Sequence, residues 1–338
     1  MAVTINDIRK FENGARFHTA DLHIHSYGGS ADVKDAGMTV ECIIDASVAQ
    51  GISLIAITDH NSDKNLKAAM EYAPKYVGQL LVIPGVEVSA SNGHVLAYFP
   101  PERMDRVRDL LARIGIVGEY GDRESHTTKS IAEVVVEAER LGGISVAAHI
   151  DRAKTGFEAT IAGYPNAKKD ILASSGLYGL EFDDPGHLVW YSPEDEPTPE
   201  GAERKKLLNS RLQSTATAAR LRLATIQNSD AHSVAQLTAK RVLTRFKMNE
   251  LSFEGLRTAF IDPEARVRAV ATIPTAIPKI LGMHTEGGFL SGETFCFSNN
   301  LNCLIGGRGT GKSTTTQSIA YGASETPWRT MTTVQKVS

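Results

Sequence analysis

The sequence predicts an α/β fold with parallel strands, and three observations lead to this class. Short apolar segments alternate with helical patterns over most of the chain, as in folds built from β-α units. Histidines and acidic residues follow these apolar segments, and β/α barrels build their sites at the corresponding strand ends. After about residue 268 the alternation stops, and a glycine-rich motif of a different kind appears at 306–313.

Five apolar segments are the strand candidates. The first ends in DLHIHS (21–26), and the others are ISLIAIT (52–58), LLVIPGVEVS (80–89), GGISVAAH (142–149) and LRLATIQNSDAH (221–232). Each of the last four follows a helical pattern. These patterns are TVECIIDASVAQG, the residues around LKAAMEYA, SIAEVVVEAERL, and the polar-apolar run 201–220. The alternation predicts β-α connections between parallel strands.

The segment DLHIHS places His23 and His25 one residue apart after an apolar run. On a strand, residues i and i+2 point to the same face, so the two imidazoles would converge and could share a metal ion. A pair of surface or hydrogen-bonded histidines fits this short pattern equally well. The rest of the chain has to decide between the two interpretations.

The sequence has ten histidines, and six of them occur near acidic residues or short apolar runs at predicted strand ends. These are His23, His25, His60, His94, His149 and His232. Imidazole and carboxylate ligands together suit manganese, zinc or iron. The set exceeds the four ligands of one tetrahedral zinc, so it predicts a cluster of two or three ions. Clusters of this kind clamp a phosphoryl group and activate water.

Five motifs, DLHIHS, ITDHN, GVEVSASNGHVLAYF, AAHIDR and NSDAHS, follow one another in the order typical of one family. Over residues 17–268 the chain resembles the PHP (polymerase and histidinol phosphatase) family. The resemblance implies a distorted β/α barrel, a trinuclear metal site at the strand ends and metal-dependent phosphoesterase activity. The implied metal ligands are His23, His25, His60, Glu87, His94, His149, Asp230 and His232.

The resemblance also implies an aspartate ligand shortly after the first histidine pair, and two residues are candidates for it. Counting forward from His25 favours Asp32, whereas counting back from the MT pair favours Asp35. The family's aspartate is usually followed by glycine, and neither residue is. Both therefore stay in the predicted ligand set.

Four further residues are candidates near the site. Asp59 could be a ligand or could orient His60. Arg152, just after AHID, could hold a substrate phosphate or make a surface salt bridge. Glu181 ends a strand pattern and could face the site, while the surroundings of His187 are typical of a loop.

Composition limits the classes of partner. The formal charge of −3 does not indicate a strongly basic, non-specific nucleic-acid binder. The run 203–222 has six basic residues and one acidic residue, and it could form either a nucleic-acid-binding face or a solvated helix face. Three cysteines without zinc-ribbon spacing are typical of free thiols in a reducing cytoplasm. No apolar run is long enough to predict a membrane span or a signal peptide.

The stretch GGRGTGKS fits the P-loop pattern G-x-x-x-x-G-K-[ST] between a strand candidate, LNCLI, and a helix-compatible run. Backbone N–H groups between Gly306 and Gly311 would wrap nucleotide phosphates, Lys312 would reach the terminal phosphates, and Ser313 would bind magnesium. The motif therefore predicts ATP and Mg²⁺ as ligands.

The residues around the P-loop resemble the opening of ABC-type ATPases of the chromosome-maintenance kind. No Walker B acid or signature motif follows, so a truncated ATPase domain is expected. We therefore predict a PHP domain over 1–268, a linker over 269–285 and a partial P-loop domain over 286–338. The oligomeric state is left open.

The preferred functional hypothesis is a metal-dependent phosphodiesterase acting on DNA or RNA in repair or defence, because an ATPase segment suits nucleic-acid processing. One alternative is a phosphatase acting on a small phosphomonoester, such as a metabolite or a nucleotide. Another is an ATP-dependent DNA-binding module with a structural metal site, which the near-complete ligand set disfavours.

Overall fold

The computed structural model describes Ile8 and residues 14–163, 166–213, 222–270 and 279–323. The chain divides into two compact units. Residues 17–272 make up the larger unit, and residues 1–16 with 273–338 make up the smaller one. The predicted linker and domain limits remain predictions, although a described strand, Gly282–His284, lies inside the predicted linker.

The strands are numbered in chain order. They are β1 (Arg16–Ile24), β2 (Leu54–Ile57), β3 (Leu81–Ala90), β4 (Gly93–Tyr98), β5 (Ile116–Val117), β6 (His126–Thr127), β7 (Ile144–Ala147), β8 (Leu177–Glu181), β9 (Ala224–Ile226), β10 (Arg245–Met248), β11 (Val267–Arg268), β12 (Gly282–His284) and β13 (Thr294–Cys296). Nine of them form one sheet in the order β11-β10-β1-β2-β3-β4-β7-β8-β9, while β5 pairs with β6 and β12 with β13.

The described helices are numbered in the same way. They are α1 (Val40–Ala49), α2 (Leu66–Tyr72), α3 (Asp105–Ile114), α4 (Ile131–Arg140), α5 (Phe157–Thr160), α6 (Asn166–Ala173), α7 (Pro199–Leu212), α8 (Val234–Thr238), α9 (Phe253–Ile261), α10 (Pro263–Arg266) and α11 (Lys312–Ala323). Short 3₁₀ helices cover Ala73–Tyr76, Pro101–Arg103 and Pro185–Val189.

The nine-stranded sheet is curved into a nearly closed barrel. Just beyond β9, Gln227 exchanges hydrogen bonds with Thr244, which precedes β10 near the opposite end of the sheet. A parallel bridge also joins Ile24, at the end of β1, to Ala231. These contacts bring the residues after β9 beside the end of β1, so the motifs DLHIHS and NSDAHS meet in space.

The barrel wall is buried on both faces, as the apolar segments predict. In β2, Leu54 and Ala56 belong to one core cluster, and Ile55 and Ile57 belong to the other. This division follows the alternation of side chains along a strand. The mixed α/β architecture and the barrel-shaped sheet are therefore as predicted.

Local sequence signals set the ends of two helices that pack on the barrel. The Thr39 hydroxyl accepts a hydrogen bond from the Cys42 amide at the start of α1. At the start of α4, Ser130 and Glu133 form a reciprocal capping box. Both arrangements satisfy amide groups that have no partner within the helix.

Two parts of the large sheet depart from the parallel scheme, namely the edge pair β10–β11 and strand β4. Strand β4 pairs antiparallel with both β3 and β7, and the β3–β4 hairpin turns between Ala90 and Gly93. Because β4 runs in the opposite direction, its first residues reach the rim at which the parallel strands end. His94 therefore lies at that rim although it begins a strand.

The smaller unit contains the β12–β13 hairpin and helix α11. A helix follows the GGRGTGKS motif and begins at Lys312, whose Nζ lies 2.5 Å from the carbonyl oxygens of both Gly306 and Gly307. The predicted strand LNCLI is not formed, and Leu301 and Ile305 are 87% and 94% exposed. A strand requires a neighbour to pair with, and in the described residues this segment has none.

Within the described ranges, no helix has the length and apolar character needed to cross a membrane.

Candidate metal centre

Donor atoms from four ligand candidates converge beyond the ends of β1 and β3. His23 and His25 present their Nε2 atoms 3.1 Å apart. The Glu87 Oε2 atom lies 3.1 and 3.2 Å from these nitrogens, and the Asp230 Oδ1 atom lies 3.3 and 3.1 Å from them. Two imidazole nitrogens and two carboxylate oxygens pointing at one position form a ligand set suited to a divalent cation.

Glu87 also joins a second group of donors. Its Oε1 atom lies 2.8 Å from His94 Nδ1 and 2.9 Å from His149 Nε2. Its Oε2 atom lies 3.1 Å from His60 Nδ1. Both oxygens of this carboxylate therefore contact imidazoles, Oε1 those of His94 and His149 and Oε2 those of His23, His25 and His60.

A third group lies on the more open side of the site. Asp32 Oδ2 is 3.3 Å from His60 Nε2 and 3.4 Å from His232 Nε2. The donor nitrogens of His25, His60 and His232 also lie within 4.8 Å of one another. The side chains of Asp32 and His232 are 24% and 25% exposed, whereas those of His23 and His25 are fully buried.

Buried polar atoms without hydrogen-bond partners support a metal in this site. Several buried side-chain atoms among the described residues make no hydrogen bond of good geometry, and Asp230 Oδ1, Asp32 Oδ1 and His60 Nδ1 are three of them. Such atoms are costly to bury unless something compensates them. All three belong to the predicted ligand set, so the residues present fit a divalent metal cluster.

The two candidate loop aspartates differ clearly in position. Asp32 faces His60 and His232, as described above. Asp35 instead accepts hydrogen bonds from the amides of Gly37 and Val234, and these bonds lower its pKa. The structure does not bring Asp35 to the cluster, because its carboxylate ties the loop to the start of α8.

Glu181 orients the first histidine. Both of its oxygens lie within 3.1 Å of His23 Nδ1. It also accepts hydrogen bonds from the His149 amide and from the side chain of Asn228. With Nδ1–H donating to Glu181, the Nε2 lone pair of His23 faces the cluster. The end of β8 was the available sequence signal for Glu181, and Asn228 had no comparable signal.

A serine connects the second histidine to Asp59. The Ser30 hydroxyl lies 3.1 Å from His25 Nδ1 and donates to Asp59 Oδ1 at 2.9 Å. Asp59 also accepts hydrogen bonds from the amide and the hydroxyl of Ser26. The predicted interaction of Asp59 with the His60 ring is absent among these contacts. Asp59 is instead connected to His25 by the Ser30 hydroxyl. This hydroxyl also accepts a hydrogen bond from the His60 amide.

Replacing Asp59 with asparagine is expected to weaken metal binding by about 10- to 100-fold, the usual cost of removing a group that orients a ligand. The asparagine NH₂ group is a donor, and it would face the Ser26 or Ser30 groups that now donate to the Asp59 carboxylate. Mn²⁺ affinity measured by calorimetry tests this, with Asp63→Asn as control because Asp63 pairs with Arg108 at the surface. Equal affinities for the two variants would contradict the expectation.

Opposite charges dominate the electrostatics of the cluster. Burial alone would lower the pKa of His25, but its contacts with Asp230 and Glu87 raise that pKa to about 9. Burial would raise the pKa of Glu87, yet the surrounding imidazoles hold that pKa well below its usual value. The pKa of Asp230 is lowered in the same way by His23 and His25. The carboxylates are therefore ionised and available as ligands.

Two of the candidate ligands have unusual backbone conformations. His149 has φ of 26° and Asp230 has φ of 47°, and both follow strands at the rim. Asn61, next to His60, also has φ of 47°. Residues other than glycine rarely adopt positive φ, and such strain is concentrated at functional sites.

Arg152 lies at the edge of the cluster. Its Nη1 atom is 2.7 Å from Asp230 Oδ2, and its Nε and Nη2 atoms contact the carboxylate of Asp183. Its side chain is 37% exposed. The guanidinium is therefore held beside the candidate ligand Asp230 while part of it remains accessible.

In the described part of the basic run 203–222, two of the six basic residues point into the protein and cannot contribute to a basic face. Arg204 is buried and makes a bidentate contact with Asp195. Arg211 is buried and donates to the carbonyl oxygens of Leu172 and Leu177. Residues 214–221 lie outside the described part of the chain.

Comparison with solved structures shows that the fold is shared. The chain is similar to the lesion-specific endonuclease Q from Pyrococcus furiosus, with 19% identity and a TM-score of 0.53 over 74% of this chain and 57% of that one. It is similarly related to endonuclease Q in complex with a 27-mer duplex substrate with an abasic lesion at the active site (18% identity, TM-score 0.52, 74% and 58% covered).

A two-domain protein from Bacteroides vulgatus containing a predicted PHP-like metal-dependent phosphoesterase is also similar (18% identity, TM-score 0.48, 76% of this chain and 65% of that one). The chain spans less than three fifths of the endonuclease Q chains. No protein-family model matches the sequence, and no curated protein matches it.

Proposed function

We propose that the larger unit is a metal-dependent phosphoesterase that hydrolyses phosphodiester bonds in nucleic acid. The observation that carries this proposal is that imidazole and carboxylate donors form three adjacent groups, each able to hold an ion. Any two of these groups have one residue in common, which is Glu87, His25 or His60. Divalent ions held there, whether manganese, zinc or iron, would polarise a phosphoryl group and lower the pKa of a water molecule.

The exposure of the donors indicates how a substrate reaches the cluster. His23, His25, Glu87 and His149 are buried, so they can hold ions but cannot touch a substrate in this conformation. Asp32, His232 and Arg152 are partly exposed. A phosphate would therefore approach on their side of the site.

Arg152 is suited to positioning that phosphate. Its guanidinium carries five N–H donors in a fixed plane, and such groups bind phosphate oxygens well. Asp183 and Asp230 hold the side chain in place, so little conformational entropy is lost when a phosphate binds. We therefore assign Arg152 to substrate positioning, and the nine donors His23, His25, Asp32, His60, Glu87, His94, His149, Asp230 and His232 to metal binding.

Nucleic acid is the proposed substrate because the fold resembles that of endonuclease Q, whose described complex contains a 27-mer duplex substrate with an abasic lesion. The P-loop motif is consistent with this substrate, and we propose ATP and Mg²⁺ as its ligands on the sequence pattern at 306–313.

A small phosphomonoester is the second candidate substrate. It is favoured by one observation, namely that Arg204 and Arg211 are buried in structural contacts and do not extend a basic surface. A ligand with a single phosphate needs fewer cationic contacts than an oligonucleotide does.

The deciding experiment adds Mn²⁺ and compares end-labelled single-stranded DNA and RNA with a panel of phosphomonoesters. His23→Ala with Asp230→Ala serves as the inactive control, and His126→Ala, at an exposed position on β6, as the matched one. We expect the wild type and His126→Ala to cleave the oligonucleotides and the double variant not to. Phosphate release from monoesters alone would favour the second candidate.

A further inference from the structure

A stack of three side chains is built from His187 and Trp190, which follow β8, and from Arg204 on α7. The rings of His187 and Trp190 are stacked, with centroids 3.8 Å apart and planes inclined by 24°. The Arg204 guanidinium carbon lies 4.1 Å from the Trp190 ring centroid. One face of a ring cannot hold both groups in contact, so His187 and Arg204 cover opposite faces of Trp190. We call these three residues the aromatic stack.

The inner end of the aromatic stack is rigid. Arg204 is buried and makes two hydrogen bonds to Asp195, at 2.9 and 2.7 Å. Trp190 donates from Nε1 to Glu196 at 3.2 Å, and its ring meets Phe182 edge to face. Trp190 is therefore held in place by Arg204, Glu196 and Phe182, and His187 packs against a fixed ring.

The outer end of the aromatic stack is open. The His187 side chain is 30% exposed, and in the described part of the chain Trp190 is the one aromatic ring stacked on it. Its Nδ1 atom lies 2.8 Å from Asp151 Oδ2. Asp151 in turn accepts hydrogen bonds from the amides of Asp183 and Asp184. The imidazole is therefore held at its edge while part of its surface remains available.

The aromatic stack is connected to the metal centre by very short stretches of chain. Asp151 lies two residues after His149, a candidate ligand, and directly before Arg152, which contacts Asp230. The 3₁₀ helix with His187 begins four residues after Glu181, which orients His23. The strand ends of β7 and β8 thus carry both the metal centre and the aromatic stack.

We propose that the aromatic stack is a binding subsite for an unpaired nucleobase next to the phosphate held by Arg152. A base would extend the stack by lying on His187, with Trp190 and Arg204 behind it. Base stacking on aromatic side chains tolerates every base, because each base has a π face. The inference rests on the proposed function, and it narrows the substrate to nucleic acid with an unpaired base at the cleavage site.

The test combines variants of His187 with abasic substrates. The substrates are a single-stranded DNA 12-mer and versions with one abasic nucleotide moved along it. The variants are His187→Ala, His187→Phe, which keeps a stacking ring, and His126→Ala as the matched surface control. We expect His187→Ala to raise KM about tenfold with little change in kcat, and His187→Phe and His126→Ala to stay close to wild type.

The abasic substrates separate stacking from a structural effect. At one position, removing the base should raise the wild-type KM and should abolish the difference between wild type and His187→Ala. A loss in His187→Ala that persists equally on every abasic substrate would overturn the inference, as would an unchanged KM on the intact 12-mer.

A binding measurement keeps this test distinct from that of the proposed function. If the wild type cleaves no oligonucleotide, the proposed nuclease activity fails, and fluorescence anisotropy of a labelled 12-mer then decides about the aromatic stack. Weaker binding by His187→Ala than by His187→Phe would support a base subsite. Equal binding by the wild type and both variants would overturn it.

Discussion

Replacing Glu87 with glutamine is expected to abolish phosphoesterase activity and to remove bound metal, with a loss of at least about 100-fold, because removing a group that only orients a ligand already costs 10- to 100-fold. Glu87 contacts five imidazoles, two through Oε1 and three through Oε2. A neutral amide would offer one acceptor oxygen instead of two anionic ones. Metal content by mass spectrometry and hydrolysis rates measure the two effects.

The control for this variant is Glu71→Gln, because Glu71 is 69% exposed and pairs only with Lys67 in the described contacts. Circular dichroism distinguishes a loss of metal from a loss of the fold. A Glu87→Gln protein that keeps its metal content and activity would show that this carboxylate is not a bridging ligand.

Adding Mn²⁺ to the metal-free protein is expected to raise its melting temperature substantially. A ligand at about 100 times its Kd stabilises the native state by about 2.7 kcal/mol, which corresponds to about 5–10 °C for a domain of this size. The metal-free site buries Glu87 and Asp230 against imidazoles that carry protons, and His25 has a pKa of about 9. Metal would replace those protons.

The pH dependence of this shift follows from the same pKa. With this pKa the His25 ring is mostly protonated at both pH 6 and pH 8 and must release a proton to bind metal. Protons compete more strongly at pH 6, so the stabilisation should be smaller at pH 6 than at pH 8. Differential scanning fluorimetry at both pH values measures it, with Glu87→Gln as a variant that should not respond. A wild-type melting temperature unaffected by Mn²⁺ would exclude a tight metal site.

Much of the candidate site could be predicted because it depends on short-range rules. The alternation of side chains along a strand brings the rings of His23 and His25 to one face. Parallel strands end at a common rim, and this places Glu87 and His149 together although 62 positions separate them. The sequence motifs therefore predicted the positions of the strand ends, and these positions predicted where the site lies.

The remaining features depend on contacts that no local pattern encodes. The sequence spacing supports Asp32 and Asp35 equally as the loop ligand. The two are distinguished by a tertiary contact, because the Val234 amide at the start of α8 donates a hydrogen bond to Asp35. Ser30 reaches Asp59 because the chain turns tightly at Gly29, where a Cβ atom would lie 1.9 Å from the Asp59 carboxylate. Arg204 has the same charge as an exposed arginine, and only its pairing with Asp195 reveals that it is buried.

The β3–β4 hairpin has a consequence for the order in which the site is assembled. Glu87 and His94 are seven residues apart on one hairpin, whereas Asp230 reaches His25 only when the barrel is nearly closed. Pairing within a hairpin closes a short loop and costs little entropy, so it precedes long-range contacts as the chain folds. An incomplete chain can therefore present part of the site, but only a finished barrel presents all of it. We therefore expect the complete ligand set to bind metal only after the barrel has formed.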